Sequence, residues 1–319
     1  MPKYLSERIL ITGSTGMVGA SVSKELAELG YQNLILTNSK DADLRNQEEV
    51  KRLVARAKPT IAILIAAKVG GVLANSSKPA TFAIDNLLIQ SLILDELIKS
   101  GTKKIVFIGS SCVYPKNATL PLEPKSLLTG PLEETNKWYA TAKLSMMMAL
   151  DGATKEFGIQ TVTLMPTNLY GPGDSFDVNF GHLIPSLIQK AHAAKVADSP
   201  SYSVWGSGKA FREILYVDDL ATAIAKVIEN DHLTGALNVG SGDERSILEI
   251  AEAIREAVGF KGHIKLDSSK PDGVLRKPLN SNPLRELGWI PQIDLNSGLK
   301  LTYEWYLDAL KSGKVRESI

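Results

Sequence analysis

The sequence of 319 residues predicts an α/β protein built on a doubly wound parallel sheet, and three observations support that fold class. Short apolar runs alternate with segments whose apolar residues recur at helical spacing. The runs are apolar throughout, which is typical of parallel strands that are covered on both faces. The first run ends in a glycine-rich turn that leads into a helix, as it does in Rossmann-type sheets.

The elements of this sheet can be placed in order along the first 170 residues. The first strand is "RILITG", and the helix that follows it is expected to end at Gly30, since glycine commonly terminates helices. The next helix is expected to end before Pro59, because proline cannot continue a helix. Strands are predicted at 8–13, 33–37, 60–67, 103–109 and 160–166, and helices at 21–30, 46–58, 79–101 and 137–157.

The regular alternation ends near Gly171, where "YGPGDSFDVNFGH" is rich in turn residues. We therefore predict two domains, a Rossmann-type dinucleotide-binding domain at 1–170 and a smaller α+β substrate domain at 171–319. The smaller domain is discontinuous, because a strand and a helix in a return segment near 212–240 are expected to rejoin the first domain. An amphipathic helix is predicted at 246–259.

Composition and charge exclude several classes of function. Apolar residues make up 44% of the chain and the formal net charge is +1, which provides no basic surface for nucleic acid. No apolar run reaches the ~20 residues of a membrane helix. A single cysteine and four scattered histidines predict neither a disulfide framework nor a metal site. The N-terminal residues lead directly into a strand without a signal-peptide layout, so we expect a cytoplasmic protein.

The turn after the first strand, "TGSTGMVG", has the spacing of a dinucleotide-binding loop. Gly13 permits a tight turn, Gly16 lets the backbone approach a diphosphate, and Gly19 lets the helix pack closely on the strand. The amino end of the helix offers free N–H groups and a partial positive charge to phosphate. A purely structural turn is the alternative interpretation.

The end of the second strand distinguishes NADP from NAD. A carboxylate at this point would bind the ribose 2′-hydroxyl of NAD and repel a 2′-phosphate. The sequence has Thr37 there, followed by Asn38, Ser39 and Lys40, which supply hydrogen-bond donors and a cation. We therefore predict NADP as the cofactor.

"YATAK" places Tyr139 and Lys143 four residues apart, on one face of a helix. A lysine ammonium one turn away is expected to lower the pKa of the tyrosine, which is otherwise too high for acid–base catalysis near neutral pH. Ser110, at the carboxyl end of a central strand, can donate to the same substrate oxygen. These three residues predict a catalytic site of a dehydrogenase or reductase.

Together, "TGSTGMVG", "GSSCVYP", "YATAK" and "MPTNLYGPGD" resemble the extended short-chain dehydrogenase/reductases that act on nucleotide sugars. The resemblance covers essentially the whole chain. Within that family, "AAKVGG", "HLIP", "VWGSG", "FREILYVDD" and "SKPDGVLRK" are similar to members that epimerise and reduce a GDP-linked 4-keto-6-deoxy sugar with NADPH. The resemblance implies an oxidoreductase and isomerase of nucleotide-sugar biosynthesis. It also implies a homodimer in which helices 79–101 and 137–157 pair across a two-fold axis.

A cysteine and a histidine suit that epimerisation. The C–H bonds at C3 and C5 of a 4-keto sugar are acidified, and their inversion needs a base on one face and an acid on the other. Cys112, just past the fourth strand, can serve as the base in its thiolate form, and His182, in "NFGHLIP", as the acid. The resemblance implies the same roles. A buried apolar cysteine and a structural histidine are the alternatives.

The resemblance also implies which residues contact the two ligands. Some relatives have arginine where this chain has Lys190, and lysine lacks the bidentate geometry of arginine. The expected substrate contacts are Lys190, Trp205, Arg212, Asp272 and Asn168. The expected cofactor contacts are Gly13, Ser14, Thr15, Gly16, Met17, Val18, Gly19, Asn38, Ser39, Lys40, Ile108, Gly109, Ser110, Ser111, Lys143, Pro166, Thr167, Asn168, Leu169 and His182.

Three other functions stay open at this point. Nucleotide-sugar 4,6-dehydratases carry an acid pair after the strand-end serine or threonine, and this chain has Ser111 and Cys112 there instead. A nucleotide-sugar 4-epimerase would retain NAD and would need no thiol. A non-catalytic NADP-binding sensor would need neither Tyr139 nor Lys143, and both are present.

Overall fold

The computed structural model describes residues 2–270 and 272–315, so the last four residues of the predicted second domain lie outside the described residues. The strands of the described residues form three sheets. In chain order the strands are β1 Arg8–Thr12, β2 Asn33–Thr37, β3 Ile61–Leu64, β4 Lys104–Ile108, β5 Gln160–Pro166, β6 Asn168–Tyr170, β7 Ser201–Trp205, β8 Phe211–Tyr216, β9 Gly235–Val239, β10 Glu244–Ser246 and β11 His263–Asp267.

Most helices lie within a few residues of their predicted positions. The first one begins at Met17, four residues before the predicted start, because its N-cap is Gly16 of the glycine loop itself. Across the described residues, no helix combines the length and apolar character that a membrane span requires. The helices are α1 Met17–Glu28, α2 Gln47–Ala57, α3 Val72–Ser77, α4 Pro79–Lys99, α5 Lys137–Phe157, α6 Leu183–Val196, α7 Val217–Ile228, α8 Ile247–Val258, α9 Asn282–Glu286 and α10 Leu295–Lys311.

The central sheet has six parallel strands in the order β2-β1-β3-β4-β5-β9, which confirms the predicted fold class. After β2 the chain crosses over β1 to form β3, so strands are added on both sides of β1. In β1, Ile9 and Ile11 pack into the core under α1 and α7, whereas Leu10 packs into the core under α2, α4 and α5. Both faces are therefore buried, which is why the strands are apolar throughout.

The second half of the chain builds two small sheets, β10-β8-β6 and β11-β7, around a separate core. That core contains α6, α8 and α10 side chains together with Tyr170 and Phe176. The strand of the return segment, β8, pairs with β6 and β10 and not with the central sheet, although its Leu215 belongs to the core of that sheet. From the second half of the chain, α7 and β9 pack with the central sheet, and the boundary at 170 and 171 stays a prediction.

One buried carboxylate connects the small sheet to the end of the central sheet. Glu213 of β8 is 1% exposed and accepts hydrogen bonds from the backbone N–H groups of Gly242 and Leu279, at 2.7 and 2.8 Å. Its backbone carbonyl accepts hydrogen bonds from the side chains of Thr167 and Asn168, just beyond β5. Glu213 therefore fixes the segment that leaves the central sheet toward the second half of the chain.

Replacing Glu213 with alanine should lower the free energy of unfolding by about 2 kcal/mol, because the buried N–H of Leu279 loses its acceptor. The urea midpoint measures the effect. Glu252→Ala is the control, because that carboxylate is 45% exposed and pairs with the neighbouring Arg255 on α8. Equal midpoints for the two variants would contradict a structural role for Glu213.

Candidate functional site

The glycine loop lies at the carboxyl edge of the central sheet. Gly13 has φ +70°, and a Cβ at Gly19 would lie 2.1 Å from the carbonyl oxygen of Gly13. Both positions therefore require glycine. Gly16, the N-cap of α1, makes no side-chain capping bond, so the first N–H groups of α1 are available to an anion.

The end of β2 fits a phosphate better than a ribose hydroxyl. Thr37 is buried, and its hydroxyl has no hydrogen-bond partner among the described residues. Ser39 and Lys40 are exposed, and no carboxylate occupies the strand end itself. Asp41 accepts a hydrogen bond from the backbone of Asn38, whereas Asp43 pairs with Arg45, which lowers the pKa of that carboxyl. The glycine loop and this turn together fit a dinucleotide that carries a 2′-phosphate.

Tyr139 and Lys143 lie in the first two turns of α5, beside the end of β4. Lys143 is 2% exposed, donates a 2.7 Å hydrogen bond to the carbonyl of Ile108, and lies 4.5 Å from the Phe107 ring centroid. Burial lowers the pKa of Lys143 to about 7, against the smaller opposing effect of Cys112. The ammonium is 5.7 Å from the ring centroid of Tyr139.

The expected lowering of the tyrosine pKa is not found in this structure. Burial raises the pKa of Tyr139, and the nearby sulfur of Cys112 raises it further. Lys143 does not counteract these effects, because its ammonium is committed to the Ile108 carbonyl and is itself easily deprotonated. The structure therefore favours a protonated Tyr139, which suits a proton donor.

Cys112 faces the start of α5 and is only partly buried, so it is not the apolar core residue of the alternative interpretation. Its backbone N–H donates to the hydroxyl of Ser110 at 3.2 Å, which caps a short 3₁₀ turn at Ser111–Val113. Its Sγ accepts a hydrogen bond from Nδ2 of Asn136 at 3.4 Å. Asn136 lies three residues before Tyr139, so the thiol and the tyrosine lie at the same end of α5.

His182 is the N-cap residue of α6, and its side chain is 46% exposed. Its Nδ1 lies 3.8 Å from the buried Asp174 carboxylate. Removal from solvent lowers the pKa of His182, but the nearby carboxylate of Asp174 raises it, and the net direction is upward. The exposed imidazole is therefore biased toward the protonated form that an acid catalyst needs.

The loop that carries His182 lies over the glycine loop and the end of β3. A Cβ at Gly173 would lie 3.4 Å from Met17, the first residue of α1. The backbone N–H of Gly71, beyond β3, donates to the carbonyl of Phe180 at 2.7 Å. These contacts bring His182 to the same edge of the sheet as Cys112 and Tyr139.

The remaining expected cofactor contacts lie along this edge. The Gly109 N–H donates to the Leu164 carbonyl, and a Cβ at Gly109 would crowd the Thr163 methyl at 3.0 Å. Thr167 is buried and Asn168 is exposed, and both donate side-chain hydrogen bonds to the Glu213 carbonyl. The other expected contacts at this edge lie at or just beyond the ends of β4 and β5 and are Ser110, Ser111, Pro166 and Leu169.

Four of the expected substrate contacts meet on the surface of the second half of the chain. The Lys190 ammonium lies 5.0 Å from the ring centroid of Trp205, whose side chain is exposed. Burial lowers the pKa of Arg212, while Asp272 opposes that change. Asp272 accepts a 2.7 Å hydrogen bond from the backbone of Ser207 and so fixes the turn after Trp205. Asn168, the fifth, lies apart at the end of β5.

Two residues next to the site were missed by the sequence interpretation. Asn136 contacts the thiol and Asp174 contacts the imidazole. Each has one buried side-chain oxygen without a partner among the described residues, Oδ1 of Asn136 and Oδ2 of Asp174. The only sequence signal for either was its position, Asn136 just before "YATAK" and Asp174 at the end of "YGPGD".

No three histidine, cysteine, aspartate or glutamate side chains of the described ranges are grouped to hold a metal ion. His192 is half-buried, with its Nδ1 3.0 Å from the Tyr303 hydroxyl. Its pKa is lowered by burial, and it packs with Tyr306 away from the edge of the central sheet.

Comparisons with known proteins show which family the chain resembles. The model of the NAD dependent epimerase/dehydratase family matches residues 9–240. The GDP-L-fucose synthase of Sinorhizobium fredii (strain NBRC 101917 / NGR234) is 43% identical over 309 residues, which cover 96% of this chain and 98% of that protein. The GDP-L-fucose synthase of Escherichia coli (strain K12) is 38% identical, covering 95% and 97%. A solved GDP-L-fucose synthetase from Naegleria fowleri bound to NADP has a TM-score of 0.91 at 29% identity, covering 98% of this chain and 96% of that one.

The buried ammonium of Lys143 should make stability depend on pH. An unfolded lysine titrates near ~10.4, whereas the pKa of Lys143 in the folded chain is about 7. Between these values the unfolded chain binds one more proton, so the stability of the cofactor-free wild type should rise with pH across this window. Urea midpoints should show a smaller rise for Lys143→Met, and an unchanged rise for the exposed Lys155→Met. Parallel pH profiles for wild type and Lys143→Met would count against a depressed lysine pKa.

The contact between Asn136 and Cys112 should control the reactivity of the thiol. An amide N–H that donates to sulfur favours the thiolate, whereas a carboxylate of the same shape disfavours it. Asn136→Asp should therefore slow the alkylation of Cys112 by iodoacetamide at neutral pH by about tenfold. The single cysteine makes the assay unambiguous. Asn46→Asp, at an exposed helix cap, should alkylate at the wild-type rate; equal rates for both variants would show that Asn136 does not influence the sulfur.

Proposed function

Because the chain belongs to the NAD dependent epimerase/dehydratase family, we propose that it converts GDP-4-keto-6-deoxy-D-mannose to GDP-L-fucose, with NADPH as reductant. The observation that carries this proposal is the position of the Cys112 sulfur, held by Asn136 at the end of α5 that bears Tyr139 and Lys143. A reductase alone needs the tyrosine and lysine but has no use for a thiol beside them. The relatives named GDP-L-fucose synthase support the same reaction.

The cofactor is NADP(H), supported by the NADP-bound neighbour and by the turn after β2. The free N–H groups in the first turn of α1 would hold the diphosphate, and Asn38, Ser39 and Lys40 would hold the 2′-phosphate. Bound NADPH supplies the hydride for the C4 carbonyl. Lys143 would hold the nicotinamide ribose and the hydroxyl of Tyr139.

The epimerisations use residues on two sides of the sugar. Cys112, as thiolate, removes the proton from C3 or C5, and Ser110 and Tyr139 donate hydrogen bonds to the C4 oxygen that gains negative charge. His182, whose pKa is raised by Asp174, returns a proton on the opposite face. The configuration at that carbon is thereby inverted.

The reduction uses the same hydrogen bonds to the C4 oxygen. Tyr139 protonates this oxygen as the ketone becomes an alcohol, a role that agrees with its raised pKa. At the other end of the substrate, Lys190 and Arg212 would bind the diphosphate, Trp205 would offer a flat apolar face, and Asp272 and Asn168 would accept or donate hydrogen bonds. Chain segments 1–170 and 171–319 would then act as cofactor and substrate domains.

We also place the enzyme in the cytoplasm as a homodimer that binds neither nucleic acid nor membrane. A catalytic thiol must stay reduced, which favours a reducing compartment. On α4, Ile84, Leu87 and Leu88 are 38–55% exposed, and Met148 of the neighbouring α5 is 56% exposed. A groove of about 420 Å³ runs beside α5 and is lined by Leu128, Pro131 and Leu144 among others. These apolar surfaces would be covered by α4 and α5 of a second copy.

The proposed base can be tested without reduction. In D₂O without NADPH, the wild type should introduce deuterium at C3 and C5 of GDP-4-keto-6-deoxy-D-mannose, as read by NMR. Cys112→Ser should slow this exchange by a factor of 10² or more, on the order of what one acid–base group contributes. Addition of NADPH should then give GDP-L-fucose with loss of absorbance by NADPH.

Each alternative predicts a different result in this assay. A non-catalytic sensor would neither exchange deuterium nor oxidise NADPH. Exchange by Cys112→Ser at the wild-type rate would assign the base to another residue. Oxidation of NADPH without exchange at C3 or C5 would show that the protein is a keto-sugar reductase without epimerase activity.

A further inference from the structure

Two glycines follow β3, and the second of them contacts the loop that carries His182. The backbone N–H of Gly71 donates to the Phe180 carbonyl at 2.7 Å. Gly71 belongs to the "AAKVGG" motif, to which the proposed function gives no task. The contact joins two segments that are more than 100 residues apart in the sequence.

Space, not backbone conformation, requires glycine at position 71. Its φ of −65° is open to any residue. A Cβ there would lie 2.4 Å from the Gly181 carbonyl oxygen and 3.1 Å from that of Phe180. Both neighbours are backbone atoms, so no side chain can rotate out of the way. A methyl group at Gly71 must therefore push the loop back by roughly 0.6 Å to reach even a tight 3.0 Å contact.

The segment on the Gly71 side is fixed from behind by two buried amide side chains. Asn75 donates from Nδ2 to the carbonyls of Gly70 and Gly71, at 2.8 and 3.1 Å. Asn86 of α4 accepts from the N–H of Lys68 and donates to the Lys68 carbonyl, both at 3.0 Å. Asn75 and Asn86 are 6% and 0% exposed, so the segment that contains Gly71 cannot easily move away from the loop.

The loop on the other side is stiff up to His182. Oδ1 of Asp177 accepts hydrogen bonds from the N–H groups of Asn179 and Phe180. The Gly181 N–H donates to the Asp177 carbonyl, and a Cβ at Gly181 would lie 2.5 Å from that same oxygen. A displacement at Phe180 and Gly181 is therefore passed to His182, the next residue.

We propose that Gly71 is a positioning residue for His182, and that its missing side chain sets the distance of the imidazole from the sugar. The inference rests on the proposed function for its chemistry. The thiol side of the site is untouched, because Cys112, Tyr139 and Lys143 are held by β4 and α5. Gly71 should therefore affect inversion without affecting proton removal.

The test compares deuterium exchange with inversion for Gly71→Ala. Exchange needs only Cys112, which can return a deuteron to the same face, whereas inversion also needs His182. Gly71→Ala should exchange near the wild-type rate and bind NADPH normally, but invert the sugar about 10- to 100-fold more slowly. His182→Gln should show the same separation, and the double variant should be no slower than His182→Gln alone.

A second readout does not depend on the reaction. The Cε1–H resonance of His182, identified by its absence in His182→Gln, should shift in Gly71→Ala. Gly152→Ala is the matched control, because a Cβ there meets nothing within 4 Å, and its imidazole spectrum should match the wild type. Should Gly71→Ala fail to fold, Asn75→Ala removes the two donors behind Gly71 and should produce the same shift and a smaller loss of inversion.

The outcomes separate the two proposals. If the wild type inverts but Gly71→Ala inverts equally fast, or the double variant is slower than His182→Gln, Gly71 does not act through His182. An unshifted His182 resonance in Gly71→Ala would overturn the positioning role as well. If the wild type does not invert while the resonance shifts, the proposed function fails and the structural coupling stands.

Discussion

Parallel pairing of the central strands is the constraint on which the rest of the structure depends. Register between β1, β3, β4 and β5 brings their carboxyl ends to one edge. The glycine loop, the Gly71 segment, the Cys112 turn and the segment containing Asn168 each leave from one of these ends. Residues from four distant parts of the chain thereby share one cleft, which is where ligands bind in open α/β sheets.

The cleft contains the ammonium of Lys143, which is removed from water by the folding of the chain. Lys143 is buried against Phe107 and has the Ile108 carbonyl as its acceptor, so a protonated ammonium lowers the stability of the cofactor-free chain. A cleft that excludes water also strengthens every interaction with charge that develops on a substrate oxygen. The same burial raises the pKa of Tyr139 and keeps it a proton donor. Burial of Lys143 thus lowers the stability of the cofactor-free chain and strengthens the interactions that its chemistry requires.

The sequence predicted those features that depend on residues close together in the chain. The unbroken apolar strands and the spacing of Tyr139 and Lys143 predicted the parallel sheet and the placement of these two residues on one helix. The pairing of β8, the direction of the tyrosine pKa and the partner of Cys112 were not predicted. Each of these depends on contacts between residues far apart in sequence, or on burial, and neither leaves a periodic signal.

The two sides of the site are held in different ways, and this difference follows from the topology. Cys112 lies just beyond β4, an inner strand of the central sheet, and contacts Asn136 at the start of α5. Its position is therefore fixed by the core of that sheet. His182 belongs to the second half of the chain, which reaches the edge through the buried Glu213 network and through the backbone contact at Gly71. Inversion at a carbon requires an acid and a base on opposite faces at a fixed separation. In the proposed mechanism, that separation depends on how closely the backbones at Gly71 and Gly181 approach, and only a residue without a side chain permits the observed distance.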